Sequence, residues 1–355
     1  MTTVFPVASD APNLRILGRM DRTRIPLALD WTGTGVEFGF RGSDCWAELE
    51  APAVSPVFWM IVLADGCPIA RFPVEPGRRF YPLLLGLEAD KSRRVTLIKE
   101  TQCMPASPEA TVLLHALRLE GELQPLPEPV YRIEFIGDSL TSGEGVLAAK
   151  DNEEWVTPWF SARAGYAWTA CELLHAECRL LSQSGYGVVW NWEHDPAGNM
   201  TDGYELNVGV LHGPAAESRG CRKPCDFASW QADAVCIRLL TNDCGGVFNT
   251  GGMEEDRPRI LEGCLTLLRK VRSAHPRAKI VWILPDTGHH PELAEEAVAR
   301  AREEGMTGLA TFALPDYGPE DYGARQHPNA AWNRKAGRLL AEELKIILTG
   351  GRDQA

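Results

Sequence analysis

The amino-acid sequence predicts an all-β domain followed by an α/β domain with a parallel sheet. Short runs of alternating or apolar residues, separated by turn residues, fill the first part of the chain. A proline-rich segment ends that pattern, and strands then alternate with helices. With 355 residues, the chain is too long for one minimal domain and suits two, which we place at residues 1–127 and 128–355.

The first domain contains four segments with the pattern of a β-strand. Val36, Phe38 and Phe40 alternate with polar residues or glycine, which is the two-residue period of a half-buried strand. The other three segments are largely apolar and lie at residues 57–63, 94–99 and 110–119. Several short strands without a long helical pattern are typical of a β-sandwich or a jelly roll.

Three prolines between residues 124 and 129 end the all-β pattern, because proline continues neither a strand nor a helix and makes a stiff linker. Beyond this linker, the apolar spacing predicts strands and helices in alternation. Predicted strands lie at 131–136, 178–182, 234–240, 280–284 and 308–314, and predicted helices at 168–175, 260–273, 293–304 and 330–348. This alternation predicts a parallel sheet covered by helices on both faces.

The composition excludes several classes of protein. The 36 basic and 48 acidic residues give a net charge of −12, so we expect no binding to nucleic acid or to an anionic membrane surface. No stretch approaches 18 uninterrupted apolar residues, so no transmembrane helix is expected. Residues 1–10 do not resemble a signal peptide, which predicts a cytoplasmic protein and leaves non-classical export open. An oligomeric state also stays open.

The ten cysteines are scattered and lie mostly inside apolar runs, so we expect buried, reduced thiols. Cys221 and Cys225 have a CxxxC spacing, but no second pair stands at a distance typical of zinc sites. We therefore expect no metal.

Ser139 is the first candidate for chemistry, because it follows the first predicted strand of the α/β domain directly. In an open parallel sheet, functional residues gather beyond the carboxyl ends of the strands. Gly137 precedes the serine by two residues and favours a tight turn that exposes the hydroxyl. The alternative is that Ser139 only caps the next helix.

Three later segments add candidates. Gly185 follows the second predicted strand, where a glycine can turn a backbone N–H towards an anion. Asn242 follows the third, and its amide is a neutral donor suited to an oxyanion. His327 precedes the last helix and could act as a general base. The alternatives are a turn or cap at residues 242–243 and a histidine on the surface or in the core.

In this order, the four segments resemble the blocks of the SGNH or GDSL hydrolase superfamily, which centre on serine, glycine, asparagine and histidine. The resemblance implies a flavodoxin-like three-layer α/β/α domain, with Ser139 as the nucleophile and His327 as its base. It also implies an oxyanion hole formed by the N–H groups of Ser139 and Gly185 and the amide of Asn242.

A β-rich domain before the serine block, together with the segment at residues 184–191, resembles carbohydrate esterase family 2 more narrowly. Members of this family deacetylate plant polysaccharides. The resemblance implies a serine esterase that removes acetyl or other short acyl groups from carbohydrate esters through an acyl-enzyme. Its substrate would be an acetylated oligo- or polysaccharide or a small acyl ester, and no metal or organic cofactor would be needed.

The sequence departs from the superfamily pattern at two positions. Ala324 stands where an aspartate usually precedes the histidine by three residues, and the nearest acid is Asp321. Family 2 esterases commonly lack that acid and orient the histidine through a backbone carbonyl. We therefore predict a dyad of Ser139 and His327, with Asp321 as the alternative acid. Leu240 replaces the glycine that many members have before the asparagine block.

Tyr186, Trp190 and Trp192 follow Gly185 closely and are candidates for stacking on sugar rings. The alternative is that one or two of them belong to the core.

Two other functions remain open on the sequence alone. A general SGNH carboxylesterase, thioesterase or lysophospholipase would use the same chemistry with different pockets. A carbohydrate-binding protein with an inactive site would belong to a different functional class. Turnover of 4-nitrophenyl acetate, compared with the butyrate and octanoate esters, separates these functions.

Overall fold

The computed structural model describes residues 2–7, 13–54, 56–250 and 252–350, except the side chains of residues 248–250. Residues 1 and 8–10 of the segment assessed for a signal peptide, and residues 351–355 of the predicted second domain, lie outside the described residues. The chain divides into two compact units. The first comprises Met1–Glu128, Val156–Pro158 and Leu211–Lys223, and the second comprises Pro129–Trp155, Trp159–Val210 and Pro224–Ala355.

The first unit is built from antiparallel strands. They are β1 (Thr2–Pro6), β2 (Leu14–Leu17), β3 (Leu27–Leu29), β4 (Gly35–Ala51), β5 (Trp59–Ala64), β6 (Cys67–Pro73), β7 (Gly77–Leu84), β8 (Ser92–Lys99) and β9 (Val112–Gln124). Hydrogen bonds connect them in the order β1-β9-β4-β8-β5-β6, with β2 and β7 paired to β4 and β3 paired to β9. The four predicted strands are present, and the predicted segment at 36–40 is part of the much longer β4.

The core of the first unit is apolar. Val36, Phe38 and Phe40 are all buried, but Glu37 and Gly39 between them are buried as well, so this segment is not the half-buried strand that its alternation predicts. The three apolar residues belong to a cluster with Leu97 of β8 and Leu114 of β9, which draws side chains from strands far apart in sequence. Such non-local burial accounts for most of the stability of a β unit.

Two short segments that follow the linker belong to the first unit and not to the second. Arg71 donates to the carbonyl of Pro158 at 3.0 Å. Arg219 pairs with Asp30 at 3.1 Å and donates to the carbonyl of Pro108 at 2.6 Å. These contacts connect polar groups across long sequence separations, so the local pattern gave no sign of them.

The second unit alternates strands and helices as predicted. Its strands are β10 (Tyr131–Gly137), β11 (Ala176–Ser182), β12 (Ala234–Arg238), β13 (Lys279–Leu284) and β14 (Leu309–Ala313). Its helices are α1 (Ser139–Ser142), α2 (Tyr166–Leu173), α4 (Thr241–Thr250), α5 (Met253–Ala274), α6 (Pro291–Glu303) and α7 (Ala330–Leu348), while α3 (Pro214–Ser218) belongs to the first unit.

The five strands of the second unit form one parallel sheet in the order β11-β10-β12-β13-β14. Numbered within the unit, this is the order 2-1-3-4-5 of flavodoxin-like folds, which bind ligands where the chain direction across the sheet reverses. Every residue of β12 is buried, and α2 packs on α7 while α5 packs on α6. A central strand buried on both faces, with two pairs of helices, agrees with the predicted α/β fold.

All ten cysteines are free, and nine of them are buried or half-buried. Within the described residues, no helix combines the length and apolar character needed to cross a membrane.

Candidate active site

The ends of three neighbouring strands bring the predicted serine, glycine and asparagine segments to one edge of the sheet. In the register of the sheet, Gly137 at the end of β10 lies opposite Ser182 of β11 and Arg238 of β12. Ser139 follows the first of these strands, Gly185 the second and Asn242 the third. The sequence order therefore becomes a spatial cluster at the reversal point of the sheet, where such folds place their sites.

Ser139 begins α1, the short helix that follows β10, and its side chain is largely buried, with 8% of the residue exposed. Asp138 caps this helix by accepting the backbone N–H of Leu140 at 3.1 Å. The serine is therefore the first residue of the helix and not its cap. The alternative that Ser139 caps this helix is wrong, because Asp138 is the cap. Burial raises the pKa of Asp138, and the charges of Arg238 and His327 oppose that rise.

Gly185 adopts a left-handed conformation with a φ of +79°. A side chain here would be strained, and its Cβ would also lie 2.9 Å from Cδ1 of Trp192. The loop is joined to the serine segment because the N–H of Gln183 donates to the carbonyl of Gly137 at 3.2 Å. Glycine is thus required by the backbone at this position.

Asn242 lies in the first turn of α4, and its Nδ2 donates to the carbonyl of Tyr186 at 2.9 Å. An amide nitrogen carries two hydrogens, so a second donor remains for a ligand. The neighbouring Asp243 binds the glycine loop more tightly, since its carboxylate accepts the backbone N–H groups of Val188 and Val189 at 2.7–2.9 Å. Burial raises the pKa of Asp243 to about 6, although these donors act in the opposite direction.

His327 lies between a short 3₁₀ turn, Ala324–Gln326, and α7. Its Nδ1 is 2.9 Å from the backbone carbonyl oxygen of Arg325. A carbonyl only accepts, so a neutral imidazole in this bond carries its hydrogen on Nδ1 and leaves Nε2 as an acceptor. That tautomer is the one a general base needs.

Asp321, the alternative acid, is engaged elsewhere. Its carboxylate accepts the N–H of Gly318 at 3.4 Å, and its own N–H donates to the carbonyl of that glycine. The Nδ1 of His327 bonds to a backbone carbonyl, whereas the carboxylate of Asp321 accepts a backbone N–H within its own turn.

The three aromatic candidates differ in exposure. Trp192 is 54% exposed beside Gly185, and Tyr186 is half-buried. Trp190 is fully buried and donates through Nε1 to the carbonyl of Asp243 at 3.0 Å, so its prediction as a sugar-stacking residue is wrong. The tryptophan packs beneath the loop because its indole N–H finds a buried acceptor there.

Two charged residues at the site were missed from the sequence. Arg238 ends β12, is almost fully buried and donates to Asp286 at 3.3 Å. Glu144 follows α1 and has a 4% exposed side chain. The sequence contained a signal for each. Arg238 interrupts an otherwise apolar predicted strand, and Glu144 lies between two glycines.

Across the residues that the structure describes, no group of three or more histidine, cysteine or acidic side chains is arranged to hold a metal.

Comparison with solved structures finds the same fold in a known esterase. An acetyl xylan esterase from the rumen bacterium Butyrivibrio proteoclasticus is 30% identical, with a TM-score of 0.93, and the match covers 98% of this chain and 99% of that one. This likeness extends over both units of the chain.

Two curated proteins are also similar in sequence, whereas no family model matches the chain. An acetylxylan esterase / glucomannan deacetylase of Cellvibrio japonicus is 24% identical over 360 residues, which cover 98% of this chain and 92% of that protein. A cellulase/esterase of Acetivibrio thermocellus is 25% identical over 323 residues, 89% of this chain. The chain spans only 37% of the length of that second relative.

Proposed function

The chain belongs to carbohydrate esterase family 2 of the SGNH hydrolases, and on this premise we propose that it removes acetyl groups from acetylated carbohydrates with Ser139 as nucleophile and His327 as base. The observation that carries the roles of these residues is the bond between Nδ1 of His327 and the carbonyl of Arg325. It supports a dyad, because the backbone supplies the orienting acceptor that an aspartate supplies in a triad.

The first half of the reaction forms an acetyl-enzyme. The Nε2 of His327 takes the proton of Ser139, and the serine oxygen attacks the carbonyl carbon of the acetyl ester. Negative charge then develops on the carbonyl oxygen. The N–H groups of Ser139 and Gly185 and the second amide hydrogen of Asn242 are the donors that would stabilise it.

Departure of the sugar completes the acetyl-enzyme. His327 gives its proton to the sugar oxygen as the C–O bond of the tetrahedral intermediate breaks, so the sugar leaves as an alcohol. The second half of the reaction releases acetate. Water then attacks the acetyl-enzyme while His327 takes one of its protons, and the returning proton restores Ser139. Apart from the substrate and water, the groups that act in these steps are side-chain and backbone groups of this chain.

Trp192 supports a carbohydrate as the alcohol part of the substrate. The residue is 54% exposed, and its indole lies against Gly185, the proposed oxyanion donor. Exposed aromatic rings beside a polar site provide the flat apolar surface on which sugar faces stack. The names of the two esterases matched over nearly the whole chain point to xylan and glucomannan as the first polymers to test.

The direct test is acetate release from acetylated xylan, acetylated glucomannan and simple sugar acetates, measured side by side. We expect release from at least one acetylated carbohydrate, and faster turnover of 4-nitrophenyl acetate than of the butyrate and octanoate esters. Preference for octanoate would favour a lipase-like esterase. No turnover of any ester, with retained binding to a polysaccharide, would favour an inactive carbohydrate-binding protein.

A further inference from the structure

Glu144 is a buried carboxylate that the reaction above does not use. Its side chain is 4% exposed, and its backbone N–H donates to the carbonyl of Ser139 at 3.0 Å. Burying an ionised carboxylate is costly unless charged or hydrogen-bonding partners compensate for the lost water. Its partners therefore indicate what the burial achieves.

The two oxygens of Glu144 face two different segments of the site. Oε2 accepts the hydroxyl hydrogen of Ser184 at 2.5 Å, and Oε1 forms an ion pair with Nε of Arg325 at 3.1 Å. Ser184 directly precedes Gly185, the proposed oxyanion donor. Arg325 supplies the carbonyl that holds His327. One carboxylate thus joins the neighbours of the oxyanion hole and of the base.

The conformation of Arg325 explains why it needs such a contact. Its φ is 53° and its ψ is 38°, and the next residue, Gln326, is also left-handed with a φ of 58°. Residues other than glycine rarely adopt this region unless the surrounding structure holds them there. A return to ordinary backbone angles would turn the carbonyl of Arg325 away from His327.

The backbone on either side of Glu144 and Arg325 fixes their separation. The N–H of Ala324 donates to the carbonyl of Gly145 at 3.0 Å, and the N–H of Arg325 donates to the carbonyl of Asn152 at 2.9 Å. Gly145 has a φ of +70°, and a Cβ there would lie 2.5 Å from the carbonyl oxygen of Ala324. The two segments are therefore packed backbone to backbone, and the ion pair spans a fixed gap.

We propose that Glu144 is the positioning residue of this site, which holds Arg325 and Ser184 so that His327 and Gly185 keep their reactive geometry. It performs through Arg325 the orienting task that an acid at the position of Ala324 would perform by direct contact. This inference rests on the proposed esterase function. It adds a residue that touches neither substrate nor reacting atoms.

A double-mutant cycle tests the proposal. Glu144→Gln keeps the shape and removes the charge, while Arg325→Met removes the cation and leaves the backbone carbonyl in place. We expect each variant to lose about tenfold to a hundredfold in kcat on 4-nitrophenyl acetate, since small displacements of catalytic groups cost that much. KM is expected to change less than about threefold, because substrate contacts are untouched.

The kcat of the double variant is expected to fall at most about twofold below the kcat of the slower single variant, because both changes break the same ion pair. Losses that multiply would overturn the proposal, as would a kcat of Glu144→Gln within about twofold of wild type. A rise in KM at constant kcat would also overturn it, because it would assign Glu144 to substrate binding.

Two controls separate this inference from the proposed function and from misfolding. Glu303→Gln removes an exposed carboxylate of α6 and is expected to keep wild-type kcat. Thermal unfolding of each variant shows whether a loss of kcat reflects loss of the fold. Ser184→Ala is an additional variant, which breaks the contact of Glu144 with the glycine loop. If wild type itself hydrolyses no ester, the proposed function and the inference both fail. If wild type and Glu303→Gln are active, only the role of Glu144 is at stake.

Discussion

The two units of this protein both bury charge, but they use it differently. In the first unit, Lys99 is fully buried; its ammonium donates to the backbone carbonyls of Asp30 and Gln102 and lies 4.4 Å from the centre of the Phe58 ring. The carboxylate of Asp30 pairs in turn with Arg219 at 3.1 Å. This cluster fastens the segment Leu211–Lys223 to the strands of its own unit.

In the second unit, two of the buried carboxylates, those of Asp243 and Glu144, follow the carboxyl ends of the neighbouring parallel strands β12 and β10. Asp243 binds the loop that follows Gly185, and Glu144 contacts Ser184 and Arg325. Each of these partners lies within four residues of Gly185 or His327 in the sequence. The difference teaches that burial of a charge does not by itself mark an active site. The buried charges at the proposed active site differ in that their hydrogen-bond and ion-pair partners belong to the loops that carry the proposed catalytic residues.

Ser139→Ala is the change expected to separate the two units most strongly. Loss of the nucleophile should lower kcat by about 10⁴-fold or more, as it does in serine hydrolases generally. Lys99→Met in the first unit is the matched control, and its folded fraction should keep a kcat within about threefold of wild type. Assays of both purified variants on 4-nitrophenyl acetate make the comparison. Activity of Ser139→Ala within about tenfold of wild type would remove Ser139 from its role.

Asn242→Ala should have the next largest effect, a loss of about 10²–10³ in kcat, which is typical for one oxyanion donor. The side-chain amide bonds to the carbonyl of Tyr186, so the loop is also expected to loosen slightly. Steady-state kinetics on one acetyl ester provide the check. A change in KM with constant kcat would mean that Asn242 contacts the substrate without stabilising the transition state.

The buried charges of the two units should respond to pH in opposite directions. The pKa of Asp243 is raised to about 6, so its folded form holds a proton that the unfolded chain releases near pH 4. Its stabilising contribution is therefore complete at low pH and is lost as the pH rises through about 6. Relative to Asp243→Asn, wild type should lose about 2 kcal/mol of unfolding free energy between pH 4 and pH 7. Urea unfolding across this range measures the difference, and a constant difference would contradict it.

Lys99 has the opposite sign. Burial lowers its pKa to about 8, so between about pH 8 and pH 10.5 the unfolded chain binds a proton that the folded chain does not. Stability conferred by this group therefore rises with pH in that window. Relative to Lys99→Met, wild type should gain about 3 kcal/mol from pH 8 to pH 10.5. If the two stability curves run parallel in urea unfolding, the buried ammonium does not titrate as described.

Much of the fold was predictable because its signals are local. Residues 330–348 were predicted as a helix from their apolar spacing and form α7 with those bounds. The five parallel strands each follow from a short apolar run with turn residues at its ends. By contrast, α4 contains Gly245 and Gly246, which disfavour a helix, so its formation depends on packing.

The parts of the site that the sequence missed are contacts between distant segments. The carbonyl of Arg325 points at His327 only because a residue other than glycine is held at positive φ, which no local pattern announces. Trp190 could not be told from Trp192 because both follow the same glycine and only the fold buries one of them. The sequence therefore predicted which residues lie at the strand ends, but it did not predict the direction of the Arg325 carbonyl or the burial of Trp190.

The most direct test of the account compares Asp321→Asn with His327→Ala. The central claim is that a backbone carbonyl orients the base, whereas the carboxylate of Asp321 accepts the N–H of Gly318 in its own turn. Replacement of an orienting acid by its amide costs about 10⁴ in kcat, because the imidazole then takes the wrong tautomer. We predict a kcat for Asp321→Asn within about threefold of wild type on an acetyl ester, and a loss of about 10³-fold or more for His327→Ala. A loss in Asp321→Asn that approaches the loss in His327→Ala would show that a triad operates and would contradict the account.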